Sequence, residues 1–140
     1  MYLCDVNILV YAHREDAANH AVYLTWLENL LNSDETFAVS ELVLSGFLRI
    51  VTHPKIFNPP SSLADALAFV STIREHPNCL IVAPQTHHWS IFQGLCESAN
   101  ARGNLIPDAY HTALAIESGC EWVTSDRGFS RYQGLKWKTL

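Results

Sequence analysis

Positive charge is scarce in this sequence: nine Lys and Arg stand against fourteen Asp and Glu, a formal net charge of −5 over 140 residues. A chain of that sign does not grip a polyanion through bulk potential. No run approaches the roughly 18 consecutive apolar residues that a membrane span needs, and the first residues lack the basic start and apolar core of a secretory signal. The expectation is a soluble, cytoplasmic protein with no membrane association. Cysteines are few and scattered. Cys4, Cys79, Cys96 and Cys120 form no CxxC pair and fall mostly in apolar segments, which reads as buried free thiols rather than disulfides or a zinc site. Internal repeats, low-complexity tracts and a second domain boundary are absent. With 49% hydrophobic residues, a chain of this length has enough apolar surface for one compact core, so a single domain spanning residues 1–140 is expected.

Acid is also missing in one place. Beyond Asp126 there is no Asp or Glu, while Arg127, Arg131, Lys136 and Lys138 supply four of the nine basic side chains, leaving a local basic edge on an acidic protein.

The chain alternates short apolar stretches with helical patterns. YLCD at 2–5 predicts a strand, followed by a helix from Val6 to about His13. HAVYLTWLENLL at 20–31 has helical apolar spacing and ends in a turn-like NSDE. TFAV at 36–39 predicts a second strand, and Ser40 is placed to cap the amphipathic helix ELVLSGFLRIVT, which stops before Pro54. HPKIFNPPSS is a connector, 62–75 a helix, CLIVA at 79–83 a third strand and 86–101 a helix. RGNLIP predicts a loop, with a helix over 108–118 entered at Pro107 and left at Gly119. EWVT at 121–124 is a fourth strand, SDRGF a turn and LKWK at 135–138 a last short strand. Such alternation predicts an α/β fold with a parallel sheet covered by helices on both faces.

Asp5 is the anomaly in the opening segment. A buried, unpaired carboxylate costs several kcal/mol, so something must face it. Ligands of open α/β sheets collect at the carboxyl ends of the strands. Asp5 ends the first strand, Glu41 follows the second and Asp126 follows the fourth; Asp108 joins them if its helix starts at the same edge. Singly, each suits a helix cap. Together they would repel one another and raise each other's pKa unless a cation sat between them. Oxygen ligands without Cys or His at zinc-like spacing favour Mg²⁺ or Mn²⁺.

CDVNILVYA at 4–12, SELVLSGFLRIVTHP at 40–54, PDAYHTALAIESG at 107–119 and WVTSDRGFSRYQGLKW at 122–137 resemble the PIN-domain family, and within it VapC-type toxins of toxin–antitoxin modules. The resemblance spans nearly the whole chain in the family's order. It implies a PIN-like three-layer α/β/α sandwich with a central parallel sheet, and an endoribonuclease dependent on Mg²⁺ or Mn²⁺. It also implies a cognate VapB-like antitoxin and a homodimer, the last supported by the aromatic and aliphatic surplus of the first two helices. Carried over by position, the acidic quartet is Asp5, Glu41, Asp108 and Asp126, serving as catalytic and metal-binding residues, with Asn7, Ser40, Thr124 and Ser125 in support. The chemistry implied is hydrolysis of a phosphodiester in RNA, such as structured tRNA or rRNA, by metal-activated water, leaving 3′-hydroxyl and 5′-phosphate ends.

Other candidates have plainer alternatives. His111 lies three residues after Asp108 and shares its helix face, so it is either a ligand or acid–base group or a structural histidine. His87 and His88 diverge on a helix and lack a third ligand. Arg49, Arg127 and Arg131 are candidate RNA contacts or solvated side chains, and Tyr23, Trp26 and Leu30 belong to the core or to a dimer surface. A dehalogenase-like phosphatase would want a second Asp where Asn7 stands, and a phosphate-receiver domain would want an early acidic pair. The stronger rival is a non-catalytic PIN-like protein- or RNA-binding module.

Overall fold

The computed structural model describes all 140 residues. Five strands, β1 (Tyr2–Cys4), β2 (Phe37–Ser40), β3 (Cys79–Val82), β4 (Glu121–Val123) and β5 (Trp137–Lys138), form one sheet in the order β3-β2-β1-β4-β5. Every pairing is parallel, including Leu3 against Ala38 and Leu3 against Trp122. Helices α1 (Val6–His13) and α2 (His20–Leu31) join β1 to β2; α3 (Glu41–Val51) and α4 (Leu63–Arg74) join β2 to β3; α5 (His88–Ala99) and α6 (Leu105–Ser118) join β3 to β4. The first two crossovers step one way across the sheet and the third steps back over β2 and β1. Since right-handed crossovers are the rule, the two directions put their helices on opposite faces, which makes the three layers.

This topology decides where a ligand can sit. From β1 the chain turns to β2 on one side, and on the other side β1 is flanked by β4, so the carboxyl end of β1 lies at the switch point of the sheet. Asp5 occupies that end. The centre of the sheet is anchored by Leu3, Trp122 and Val123, each fully buried. On α3 the buried face is Val43, Leu44, Phe47 and Val51, a 3–4 residue spacing that sets the helix against the sheet. Phe47 stacks on Phe69 of α4 with centroids 5.0 Å apart.

The elements follow the sequence expectations closely, with two corrections. The RGNLIP segment is not a loop throughout, because α6 begins at Leu105 and Pro107 sits inside its first turn. Proline is tolerated there, since the first helical N–H groups have no intrahelical partner to lose. Ser40 ends β2 and precedes α3, yet its side chain makes no capping hydrogen bond and is buried. Ser62, by contrast, caps α4 by accepting from the Asp65 amide. All four cysteines are free, Cys4 and Cys120 buried and Cys79 and Cys96 half-buried. Tyr23 and Leu30 belong to the core, and Trp26 is half-buried edge-on to Tyr2. β3 is an edge strand whose central Leu80 and Ile81 are 50% and 44% exposed. No helix is long and apolar enough to cross a membrane.

Candidate active site: three carboxylates and an apolar lip

Asp5 leaves β1 in extended conformation and serves as the N-cap of α1. Its Oδ1 accepts from the Val6 amide at 2.7 Å and its Oδ2 from the Thr124 hydroxyl at 2.6 Å. Thr124, fully buried just past β4, also accepts from the Asp126 amide at 3.0 Å, so one hydroxyl ties the two acidic segments together. Asn7 adds a longer link, its Oδ1 accepting from the Ser125 amide at 3.4 Å. Asp126 in turn caps a short 3-10 turn, Arg127–Arg131, by accepting from the Gly128 amide at 2.7 Å. Asp108 is delivered by the first turn of α6.

Asp5, Asp108 and Asp126 line one cavity of about 370 Å³ at the carboxyl edge of the sheet. The electrostatics are those of crowded carboxylates. Burial lifts Asp5 from 3.8 to about 6; hydrogen bonds from Thr124 and the Val6 amide oppose this, and the charges of Asp108 and Asp126 add to it. Asp108 is raised by burial and by Asp126, with Arg131 pulling the other way. No salt bridge neutralises any of the three. Apart from Asn7, the remaining walls are largely apolar, with Val6, Tyr11, Ile50, Ile56, Phe57 and Phe129 among them.

Glu41 is not brought to this cavity. It opens α3 beside the end of α4, where its Oε2 accepts from Arg74 Nη2 at 2.9 Å and Nε at 3.2 Å, and its side chain is 64% exposed. The face of α3 that reaches the cavity lies further along the helix: Ile50 lines it, and one turn earlier Gly46 lies against Val6 so closely that a Cβ there would sit 3.1 Å from Val6 Cγ2. The expected fourth carboxylate does not line the cavity, and the α3 residue that does is Ile50. Ser40 is buried at the end of β2 and does not line the cavity, whereas Ser125 offers its backbone amide to Asn7.

Arg49 and Arg127 are exposed and make no ion pair. Arg131 is better placed. Its Nη2 and the Asp126 Oδ1 would lie 3.1 and 2.9 Å from a Cβ at Gly128, so both reach the space over that glycine without forming an ion pair. His111 is not among the residues lining the cavity and stacks on Trp122, centroids 5.5 Å apart, with its Nδ1 buried and unpartnered. Burial lowers it to about 4. His88 is buried with its Nε2 against the Tyr110 carbonyl, while His87 is exposed.

The donor set suits a hard cation: three carboxylates, all oxygen, two of which, Asp5 and Asp108, are raised chiefly by burial and further by neighbouring acidic charge. No three acidic, histidine or cysteine side chains close into a ready-made metal cage. That is compatible with Mg²⁺, which keeps several waters and is bound through one or two carboxylates together with substrate phosphate.

Sequence reasoning missed the apolar half of the site. The available signal was the pair Ile56-Phe57, two large hydrophobic residues inside an otherwise polar and proline-rich connector.

A parallel α/β/α sandwich with an acidic cavity at its switch point is a recognisable class, and the comparisons place the chain within it. It belongs to the PIN domain family, which it matches over residues 2–135. A VapC ribonuclease of Mycobacterium bovis is 41% identical over 138 residues, covering 99% of this chain and 94% of that one. Among solved structures, VapBC2 from Rickettsia felis bound to a DNA fragment from their promoter superposes with a TM-score of 0.70 at 19% identity, covering 99% and 98% of the two chains. A toxin–antitoxin complex from Klebsiella pneumoniae gives 0.62 at 17% identity, covering 96% and 95%.

Proposed function

We propose that this chain is a divalent-metal-dependent endoribonuclease that acts as the toxin of a toxin–antitoxin pair. The observation that carries the reading is the convergence of Asp5, Asp108 and Asp126 from three separate elements on one cavity, without a cationic side chain to neutralise them. The ribonuclease name of a relative 41% identical over almost the whole chain supports the choice of reaction. Mg²⁺ or Mn²⁺ would be held by these three carboxylates. When bound, the cation supplies the positive charge that lets a phosphodiester enter an acidic site and eases deprotonation of the attacking water.

The chain's own residues do the positioning. The Thr124 hydroxyl and Val6 amide fix the two oxygens of Asp5, a residue that lines the cavity, and each oxygen retains lone-pair capacity for a further partner. Thr124 and the Gly128 amide hold Asp126 at the same edge. Arg131, reaching over Gly128, is the side chain placed to meet a non-bridging phosphate oxygen. No side-chain nucleophile is required, and the products expected from attack by water carry 3′-hydroxyl and 5′-phosphate ends. RNA is the substrate in this reading, and the partner is a cognate antitoxin with a basic side chain that enters the acidic cavity and an apolar segment that supplies most of the affinity. A homodimer is also part of this reading. Tyr23 and Leu30 are buried in the core, so its surface would draw on exposed apolar groups such as Val22 on α2, Leu63 on α4 and Leu80 on β3.

The test is cleavage of RNA by the purified chain with Mn²⁺ or with excess EDTA, alongside Mn²⁺ titration of wild type and Asp5→Asn. Metal-dependent cleavage, with weaker Mn²⁺ binding by the variant, is expected. Equal cleavage in EDTA with contaminating nuclease excluded overturns the mechanism. Stoichiometric Mn²⁺ binding that is the same in the variant overturns the site.

A further inference from the structure

The apolar wall of the acidic cavity is built from an unusual piece of chain. Between α3 and α4 the connector 52–62 carries Ile56, which is 49% exposed, and Phe57, which is half-buried; both line the cavity that holds Asp5, Asp108 and Asp126. A connector tip of this kind would ordinarily be polar and mobile. Here it is pinned. Both the Ile56 and Phe57 amides donate to the His53 carbonyl at 3.1 Å, and the Ser61 amide donates to the Val51 carbonyl at 2.8 Å. Arg14, just past the end of α1, completes the fastening: its guanidinium lies 4.4 Å from the centroid of Phe57, donates to the Pro59 carbonyl at 2.9 Å and to the Ser61 hydroxyl at 3.2 Å, and is itself held by both oxygens of Asp16. His13 Nε2 also contacts the Ser61 hydroxyl at 2.9 Å.

We propose that Ile56 and Phe57 form a nucleobase platform that sets the enzyme's preference for one nucleotide beside the scissile phosphate, with Arg14 as the positioning residue behind it. The inference rests on the ribonuclease reading above. A phosphodiester drawn to the carboxylates brings its flanking bases with it, and the neighbouring wall is neutral, apolar and partly aromatic. The charge pattern matches that polarity along the cavity: anionic side chains where cation and phosphate belong, uncharged surface where a flat base belongs. A base stacked on an aromatic ring gains affinity whatever its identity, and the shape of the platform then discriminates by size and stacking strength. Arg14 covers one side of the ring as a fixed cation, which holds Phe57 at the cavity and keeps it from turning into solvent. The platform is rigid, so its selectivity is built in before substrate arrives.

The experiment is cleavage of a single-stranded RNA pool of randomised sequence by the full chain with Mn²⁺, followed by sequencing of the ends. Wild type is expected to show a biased base at one position next to the cut. Phe57→Leu, which keeps apolar volume and so the fold, should reduce that bias about tenfold while cleavage continues more slowly. Phe57→Trp should retain or sharpen it. Ile56→Ala, at an exposed position, should weaken it in the same direction. Arg14→Gln should relax the bias, and Arg14→Lys should restore part of it, a rescue that a merely structural arginine would not show. An unchanged base distribution in Phe57→Leu and Ile56→Ala overturns the platform and leaves the nuclease reading intact. The same unchanged distribution with loss of inhibition by a bound protein partner overturns it too, assigning the wall to that partner. A folded wild type that binds Mn²⁺ and cuts neither the pool nor folded tRNA and rRNA overturns the ribonuclease reading itself, and the platform with it.

Discussion

β1 and β2 are neighbours in the sheet, run parallel and end in the same way, with a carboxylate that introduces a helix: Asp5 before α1 and Glu41 at the start of α3. Their fates are opposite. Asp5 is largely enclosed, accepts from Val6 and Thr124, meets no cation and is pushed up to about 6 chiefly by burial. Glu41 is mostly exposed and carries a two-point ion pair with Arg74. The difference lies in the neighbours that the topology supplies. At the switch point β1 has β4 beside it, so the turn after β4 adds Asp126 and α6 adds Asp108. β2 lies between β1 and β3, and what reaches its end is the basic last turn of α4. A carboxylate after a strand becomes part of a site when the sheet order brings other acids to it.

The contrast can be broken most sharply by paired substitutions. Asp5→Asn or Asp108→Asn should lower cleavage about a hundredfold or more, with the fold retained, whereas Glu41→Gln should change the rate by no more than about twofold. Rate measurements on the three variants under one metal concentration decide this. A loss in Glu41→Gln equal to that in Asp5→Asn would mean that Glu41 leaves Arg74 and joins the cavity when substrate binds.

Acid titration of stability separates two buried groups of opposite sign. In the absence of divalent cations, Asp5 is raised from 3.8 to about 6, so the folded state binds more protons in that window and gains stability as pH falls from about 6 towards 3.8. His111 is lowered from 6.5 to about 4, so the unfolded state binds more protons there and stability is lost as pH falls from 6.5 towards 4. The two contributions oppose each other across pH 4–6. His111→Phe, which keeps an aromatic ring on Trp122, should make the protein more acid-tolerant relative to its stability at pH 7 by about 2 kcal/mol, and Asp5→Asn should do the reverse. Urea denaturation at pH 7 and pH 5 with EDTA reads both; parallel shifts in the two variants would contradict the assignment.

Smaller effects follow around the rim. Gly128→Ala inserts a Cβ 2.9 Å from Asp126 Oδ1 and 3.1 Å from Arg131 Nη2, so both side chains must move. Cleavage should fall about tenfold with little change in melting temperature. At the other strand end, Arg74→Ala frees Glu41, and because the pair is exposed, stability should change by no more than about 0.5 kcal/mol with cleavage unaffected. A larger loss would show the ion pair to be holding α3 and α4 together.

Much of this architecture was legible from residue order. The strands of 2–5, 36–39 and 121–124 and the helices of 6–13 and 20–31 were recoverable because apolar period and turn residues agree there. So were the three acids of the cavity, since each follows a strand or opens a helix. Glu41 shows the limit of that rule. Its position after β2 is visible in the sequence, but which elements stand beside β2 is a property of sheet order, and Arg74 lies 33 residues away. The start of α6 was obscured for a local reason, because Pro107 marks a helix entry equally well from the first or the third position. Ile56 and Phe57 carried no period to read. The ring of Phe57 is covered by Arg14, more than forty residues away in sequence.

The residue before Asp5 has a consequence for how the protein meets oxidants. Burial, with the adjacent Asp5 charge adding and Lys138 opposing, pushes the Cys4 thiol up to about 12. Only a thiolate reacts at useful speed with peroxides or alkylating reagents, so this sulfur stays inert one residue from Asp5. Oxidative stress therefore has no covalent handle on the centre of the site through Cys4, and an iodoacetamide label that appears there marks chains that have already unfolded.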